Sequence, residues 1–301
     1  MTTIENSIHV PNVKRIETWK AAVDRLDLNS KEYITDVYTL SFEITEFNCL
    51  QQIDSVKLAA LKEEVEQLKP WNYYIPGICE NTDPHSVTNF HRYRARLISQ
   101  AVQKLLGESI KNKTLLDIAC NCGVFSLEMG VLGFKKVVGV DFRSENVNRA
   151  KLLSKLIPVS NVTFVTGDIE NIDVSLDNSE VVLNLGLMYH LKDPLDGMKQ
   201  TFDMSAEFAV IDSITHKEAF SGFHLVTNKD TSSSLEGPDH YELQPTYRGL
   251  VDSMYAVGFK HVIEIEGTQH ESIDLYGAGV RRCFIAFKET PSIQLLNCLN
   301  T

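Results

Sequence analysis

What the chain has little of narrows its class first. Basic residues are the minority, 29 Lys and Arg against 40 Asp and Glu, for a formal charge of −11. Proteins that hold nucleic acid usually offset phosphate charge with a basic surface, so nucleic acid is not an expected partner unless a local basic patch survives the acidic total. No apolar run is long enough to cross a bilayer, so no membrane partner is expected either. The N-terminus, MTTIENSIHV, lacks a basic stretch leading into an apolar run; it does not look like a secretory signal, and the cytoplasm is the expected location. Cysteines stand at 49, 79, 120, 122, 283 and 298 without a C-x-x-C framework, and free thiols are expected in a reducing compartment. No internal repeat and no low-complexity tract is present. Composition leaves the oligomeric state open.

The 301 residues are 43% hydrophobic, enough for one doubly wound domain with an extension. From 111 to 290 short apolar runs alternate with amphipathic stretches. The expected strands are Thr114–Ala119, Lys136–Asp141, Val162–Thr166, Val181–Leu185, Phe208–Asp212, Val262–Ile265 and Cys283–Phe287. They show little polar alternation, as strands buried on both faces do. Helices are expected at Phe125–Leu132, Glu145–Leu156, Leu195–Met204 and Tyr247–Val257. This alternation predicts an α/β fold with an open, mostly parallel, seven-stranded sheet. The last two strands lack a helix pattern between them, which predicts a closing antiparallel hairpin.

Residues 1–110 predict a helical extension, with helix over Ser30–Lys69 and Asn89–Leu106 around an aromatic loop, PWNYYIPGICENTDPH, at 70–85. The polar stretch 215–244 predicts a substrate-side insertion, a lid or an unordered loop. Residues 291–301 are a tail.

The densest signal is Leu115–Glu128, LLDIACNCGVFSLE, where an apolar strand ends in a tight turn and opens a helix. Open α/β sheets bind ligands outside the carboxyl ends of their strands. Asp117 stands near this strand's end, and Ala119 and Gly123 let backbone approach a ligand closely. Two further acids follow the next strands: Asp141 in VVGVDF and Asp168 in FVTGDIE. A carboxylate like Asp141 can accept from ribose hydroxyls. A nicotinamide fingerprint would need glycine at 119, 121 and 124, which are Ala, Asn and Val, so a dehydrogenase is disfavoured.

The turn resembles the D-x-G-x-G-x-G segment of class I S-adenosylmethionine-dependent methyltransferases. Ala119 and Asn121 replace two of its glycines, and asparagine tolerates left-handed backbone angles better than most residues. The resemblance implies a Rossmann-like methyltransferase sheet and S-adenosylmethionine as cofactor. It also implies that Asp168 accepts from the adenine amino group while the backbone N–H of Ile169 faces the ring. Cys120, Phe142, Asn184 and Leu185 complete the cofactor set it implies.

After the fourth expected strand, LNLGLMYHLKDPL carries G-x-x-Y-H-x-x-x-P-L, similar to a group that includes the tRNA wobble-uridine carboxymethyltransferases. Pro70-Trp71 and the basic last strand, with Arg281 and Arg282, extend the likeness. That group has a lysine soon after its Pro-Trp pair; here Asn72, Tyr73, Tyr74, Ile75 and Pro76 follow. The missing lysine and the acidic balance favour ordinary S-adenosylmethionine and a small polar acceptor over tRNA. Candidates on the reaction side are His190 as base, Tyr189 as pocket wall, and Asp212 as a second base. Trp71, Tyr73, Tyr74, His216 and Arg282 are candidates for the acceptor. No metal is expected: His216, His224 and His240 lack helical i, i+4 spacing, and Cys120 and Cys122 lie on the cofactor turn. A chain that binds the cofactor without catalysis stays open as an alternative.

Overall fold

The apolar runs from 114 to 287 pair in one sheet, because strands apolar on both faces need a helical layer on each side. The computed structural model describes residues 37–42, 49–71, 73, 75–78, 87–169, 178–218, 220–227, 241–267 and 280–292. The strands are β1 (Val37–Phe42), β2 (Thr114–Ile118), β3 (Lys136–Asp141), β4 (Val162–Thr166), β5 (Ser179–Leu185), β6 (Ser205–Ile214), β7 (Phe223–Thr227), β8 (Tyr241–Pro245), β9 (His261–Gly267) and β10 (Arg281–Phe287). Helices α1 (Ser55–Ala60), α2 (Lys62–Gln67), α3 (Val87–Leu106), α4 (Val124–Leu132), α5 (Ser144–Leu156), α6 (Pro194–Met204) and α7 (Tyr247–Val257) lie between them.

The main sheet has the order β1-β9-β10-β6-β5-β2-β3-β4. From β4 to β6 all neighbours are parallel. The last strand, β10, is antiparallel to both β6 and β9. The expected doubly wound sheet with an antiparallel last strand is therefore present. The chain begins the parallel part at β2, runs outward to β4, then returns to β5 on the other side. That reversal opens a crevice at the carboxyl ends of β2 and β5, where ligands of such sheets bind.

Two local expectations are corrected. Residues 37–42 fall within the stretch expected to be helical, yet they pair in parallel with β9, Val37 opposite Val262 through Phe42 opposite Gly267. VYTLSF is β-branched and aromatic, and it covers a sheet edge that would otherwise offer unpaired backbone groups. The insertion at 215–244 is also not irregular throughout: β7 and β8 form a separate antiparallel pair, Phe223 opposite Pro245 through Thr227 opposite Tyr241. Asp239 and His240 lie outside the described residues.

Alternation along each strand feeds two core layers. Leu115, Val181, Leu183, Val210, Cys283 and Ile285 pack with α3, α4 and α5 on one face. Leu116, Val182, Ala209, Ile211, Phe284 and Ala286 pack with α6 and α7 on the other. The same alternation separates the two neighbouring arginines of β10. Arg281 points to the α3 side and pairs with Asp212 at 2.6 Å. Arg282 points to the α7 side, where its guanidinium donates to Glu264 at 2.9 Å. Arg282, expected to bind acceptor, is thus a core residue 2% exposed, and Arg281 takes the site-facing position.

Glu264 is 1% exposed and also accepts from Tyr247 Oη at 3.1 Å. Removing one partner of such a pair strands a buried charge. Arg282→Ala should destabilise the fold by about 3–5 kcal/mol in denaturant unfolding. Pairing it with Glu264→Leu should recover part of that loss.

Candidate functional site

The turn after β2 has the geometry its residues suggest. Ala119 (φ 57°), Asn121 (φ 51°) and Gly123 (φ 80°) all adopt left-handed backbone angles. Ala119 and Asn121 therefore reproduce a turn that glycine would form more easily. At Gly123 packing also excludes a side chain, since a Cβ would lie 2.5 Å from the Phe164 ring and 2.8 Å from Ala150. Asn121 locks the turn further: its Oδ1 accepts from the Cys122 N–H at 2.7 Å.

Asp141, at the end of β3, is the organising acid. Its Oδ2 accepts from the Asn121 N–H at 2.8 Å, and its Oδ1 from the Arg143 N–H at 2.9 Å and Asn146 Nδ2 at 3.1 Å. Burial pushes its carboxyl above the usual range, and these three donors oppose the shift. A carboxylate has about four acceptor positions, so one on Oδ2 is left for a ligand hydroxyl. Asp117 plays a different part. It is buried, accepts from Ser126 Oγ at 2.6 Å, and burial pushes it up to about 7. It pins the start of α4 to β2. Asp168 is exposed and Ile169 half-buried beyond β4, while Phe142 stands exposed beside Asp141. Cys120 and Cys122 are buried free thiols, as Cys49 and Cys283 are. Asn184 turns from the cofactor side, donating from Nδ2 to Thr201 Oγ1 on α6 at 2.9 Å; Leu185 packs on the opposite face.

The extension reaches this site through hydrogen bonds. Asn146 Oδ1 accepts from Arg149 Nη1 at 2.8 Å, and Arg149 Nε donates to the Leu68 carbonyl at 2.7 Å. Trp71 is buried and donates from Nε1 to the Val65 carbonyl at 3.1 Å, so it docks the extension rather than facing an acceptor. Tyr73 is buried with its ring 4.2 Å from His91 and edge-on to Phe125 at 6.4 Å. Tyr74 lies outside the described residues.

On the reaction side, Asp212 is fully buried at the end of β6. Its Oδ1 accepts from Arg94 Nη2 at 2.6 Å and Arg281 Nε at 2.7 Å. A carboxylate clasped by two guanidiniums anchors them, and the base role expected for Asp212 does not fit this geometry. Arg94 Nη1 also meets His91 Nδ1 at 3.1 Å, and burial first, then the two arginines, hold His91 well below its usual pKa. Arg281 Nη1 donates to Tyr189 Oη at 3.3 Å. Gly186 makes room for this cluster. A Cβ there would meet Arg281 Nη2 at 2.6 Å and Tyr189 Oη at 3.2 Å.

His190, in the 3-10 turn Met188–His190, has Nδ1 3.4 Å from Glu242 Oε1 on β8. Burial pulls its pKa down to about 4, with Glu242 opposing and Arg281 and Arg143 reinforcing. Glu242 Oε2 accepts from Gln244 Nε2 at 2.6 Å, and Gln244 Oε1 lies 2.8 Å from His216 Nε2. His216 is thereby joined to the site through the β7–β8 arm.

Sequence reasoning missed Arg94, His91, Glu242 and Gln244. Arg94 and His91 lie in a helix of the extension, where a polar residue looks like a solvated face. Glu242 and Gln244 alternate along β8, a pattern hidden inside a stretch whose composition suggests loop.

Comparison with known proteins bears on the domain and the fold. A methyltransferase-domain family model matches residues 90–221. The tRNA U34 carboxymethyltransferase of Pseudomonas syringae pv. tomato is 23% identical over 60% of this chain and 52% of its own length. That of Actinobacillus pleuropneumoniae serotype 3 is 25% identical over 67% of this chain and 60% of its own. The chain thus spans a little over half the length of these two relatives. Among solved structures, the N-terminal domain of EvdMO1 with SAH bound has a TM-score of 0.57 at 17% identity, covering 78% of this chain and 97% of that domain; this likeness concerns fold. The matched segment, the relatives and the fold point the same way as the strand-end residues: residues 90–221 are similar to a methyltransferase domain, and the sheet is similar to that of a protein solved with SAH bound.

Proposed function

We propose that this chain transfers the methyl group of S-adenosylmethionine to a small polar metabolite, amino-acid-like or a natural product. The observation that supports this acceptor class is the arm: β8 sets Glu242, 8% exposed, against His190, which favours an acceptor small enough to be enclosed by the chain itself. The formal charge of −11 and the absence of a lysine after Pro70-Trp71 support the same reading.

The residues fit the cofactor. The left-handed turn Ala119–Gly123 brings backbone close, Asp141 keeps an acceptor position for a ribose hydroxyl, and Asp168 and Ile169 stand where the adenine end is expected. The cofactor supplies a sulfonium methyl for in-line displacement; the chain must align the acceptor and take up any proton it loses. The Nδ1 edge of His190 faces the Glu242 carboxylate, so its basic nitrogen is Nε2. Proton uptake at Nε2 creates an imidazolium beside Glu242, which the carboxylate stabilises. Tyr189 and Arg281 shape the wall next to it.

Asp141→Ala should weaken S-adenosylmethionine binding by roughly 1.5–3 kcal/mol, the scale of hydrogen bonds to a charged group. Calorimetry on folded protein checks this, and Asp141→Asn separates the ligand contact from collapse of the turn. Unchanged affinity in both variants removes Asp141 from the cofactor site.

His190 acts as base only when neutral, and its pKa is about 4, so the rate should stay level as pH falls through the ordinary histidine range. The acid limb should appear only as pH approaches that value. His190→Gln should lower turnover by about 10²–10⁴-fold with cofactor affinity retained. Turnover within a few-fold of wild type would exclude the base role.

The acceptor is identified by incubating the chain with methyl-labelled cofactor and either pooled metabolites or bulk tRNA. Label in a small molecule is expected. A second reading, carboxymethyl transfer to tRNA, is favoured by the names of the relatives. Incorporation into tRNA, most clearly with a carboxylated cofactor, would replace the first reading by the second.

A further inference from the structure

The arm after β6 gathers three metal-ligating side chains at one place. His216 follows β6, Glu218 lies two residues on, and His224 stands on β7. One ligand atom from each lies within 4.8 Å of the others. His224 Nε2 is 3.3 Å and His216 Nδ1 is 4.0 Å from the same oxygen, Glu218 Oε2. The two imidazole rings lie 4.4 Å apart. Around a tetrahedral zinc ion with bonds of about 2.1 Å, donor atoms lie about 3.4 Å apart, so this triangle has the size of a metal site. The strand-to-strand turn does what i, i+4 spacing would do on a helix.

The hydrogen bonds behind the triangle set the donor atoms. Gln244 Nε2 donates to Glu242 Oε2 at 2.6 Å, so its oxygen is the end that faces His216 Nε2 at 2.8 Å. A carbonyl oxygen only accepts; in neutral His216 the proton is therefore on Nε2 and the lone pair on Nδ1, toward Glu218. His224 Nε2 is shielded from solvent and makes no hydrogen bond among the described residues, with the Glu218 oxygen nearby. With its proton on Nδ1, His224 turns its Nε2 lone pair toward that oxygen, an arrangement that a cation between the two stabilises. The bond from the far ring nitrogen to a carbonyl is also how metal-bound imidazoles are held.

We propose that His216, Glu218 and His224 bind one divalent transition-metal ion. Two imidazoles and a carboxylate suit zinc, whose coordination needs no special geometry beyond a closed triangle and a remaining position for water. The ion pins the turn between β6 and β7. Through His216 and Gln244 it also fixes Glu242, the carboxylate that faces His190. The site is thus a clasp for the arm over the acceptor side. Its existence does not depend on which acceptor is methylated.

The test uses the untagged full chain, freed of metal with a chelator, titrated with Zn²⁺ against a chromophoric chelator. One tightly bound Zn²⁺ per chain is expected. His224→Gln and Glu218→Gln should each weaken binding by about tenfold or more, while Gln244→Leu, which removes only the supporting bond, should also weaken it. His216 and His224 are half-buried and Glu218 is exposed, and circular dichroism of the metal-free variants checks that they fold. Co²⁺ in place of Zn²⁺ should give visible absorption that both ligand variants lose. No competition with the chelator, or a smaller effect in either ligand variant, overturns the proposal. Neither result decides whether the chain transfers methyl groups, which is measured separately.

Discussion

The Asp212 carboxylate, closed between two guanidiniums, is the contact on which the reaction side rests. It draws Arg94 from α3 and Arg281 from β10 onto the end of β6, at 2.6 and 2.7 Å. Three elements distant in sequence are fixed relative to one another at a depth where water does not compete. Desolvating these charges is costly, and the arrangement holds because every partner is close and hydrogen-bonded. The consequence for the site is positional. Arg281 so held reaches Tyr189 Oη, and Tyr189 precedes His190, so the orientation of the 3-10 turn depends on a carboxylate that never touches the reaction. Gly186 is needed for the same reason, since a methyl group there would occupy the guanidinium's place.

A second chain of contacts ties the cofactor side to the extension. The Leu68 carbonyl holds Arg149, Arg149 holds Asn146, and Asn146 holds Asp141. The extension shares the α3–α5 core layer through Cys49, Val65, Trp71 and Ile75, and the Cys49 N–H donates to Glu128 at 2.6 Å. Loss of its packing would therefore be felt at Asp141 and not only as lost stability.

Much of the central architecture could be read from the sequence, because buried parallel strands announce themselves by continuous apolar runs. Thr114–Ile118 and Lys136–Asp141 carry that signal together with the acids and the turn. The strand VYTLSF was harder, since its place depends on an edge of β9 far along the chain. The reaction side was legible in type but not in partner. Asp212 and His190 were visible as candidates, yet their partners, Arg94 and Glu242, are brought in by tertiary contacts. The Arg281–Arg282 pair shows the same limit: strand alternation sends one to the site and one to Glu264, and adjacent identical residues give no local clue to the register.

Two opposing effects act on His190, and their balance defines what the imidazole can do. Glu242 at 3.4 Å favours the charged ring, while burial, Arg281 and Arg143 disfavour it. Burial wins, because one carboxylate contact does not replace the hydration an imidazolium loses. The ring is neutral before reaction, as a proposed base must be, and a weak base while it waits. Its strength has to come at the moment of proton uptake, from a carboxylate already in place. Glu242 is in place because its other oxygen is held by Gln244 and Gln244 by His216, so the surroundings of His190, and with them its proposed strength as a base, are set by the arm.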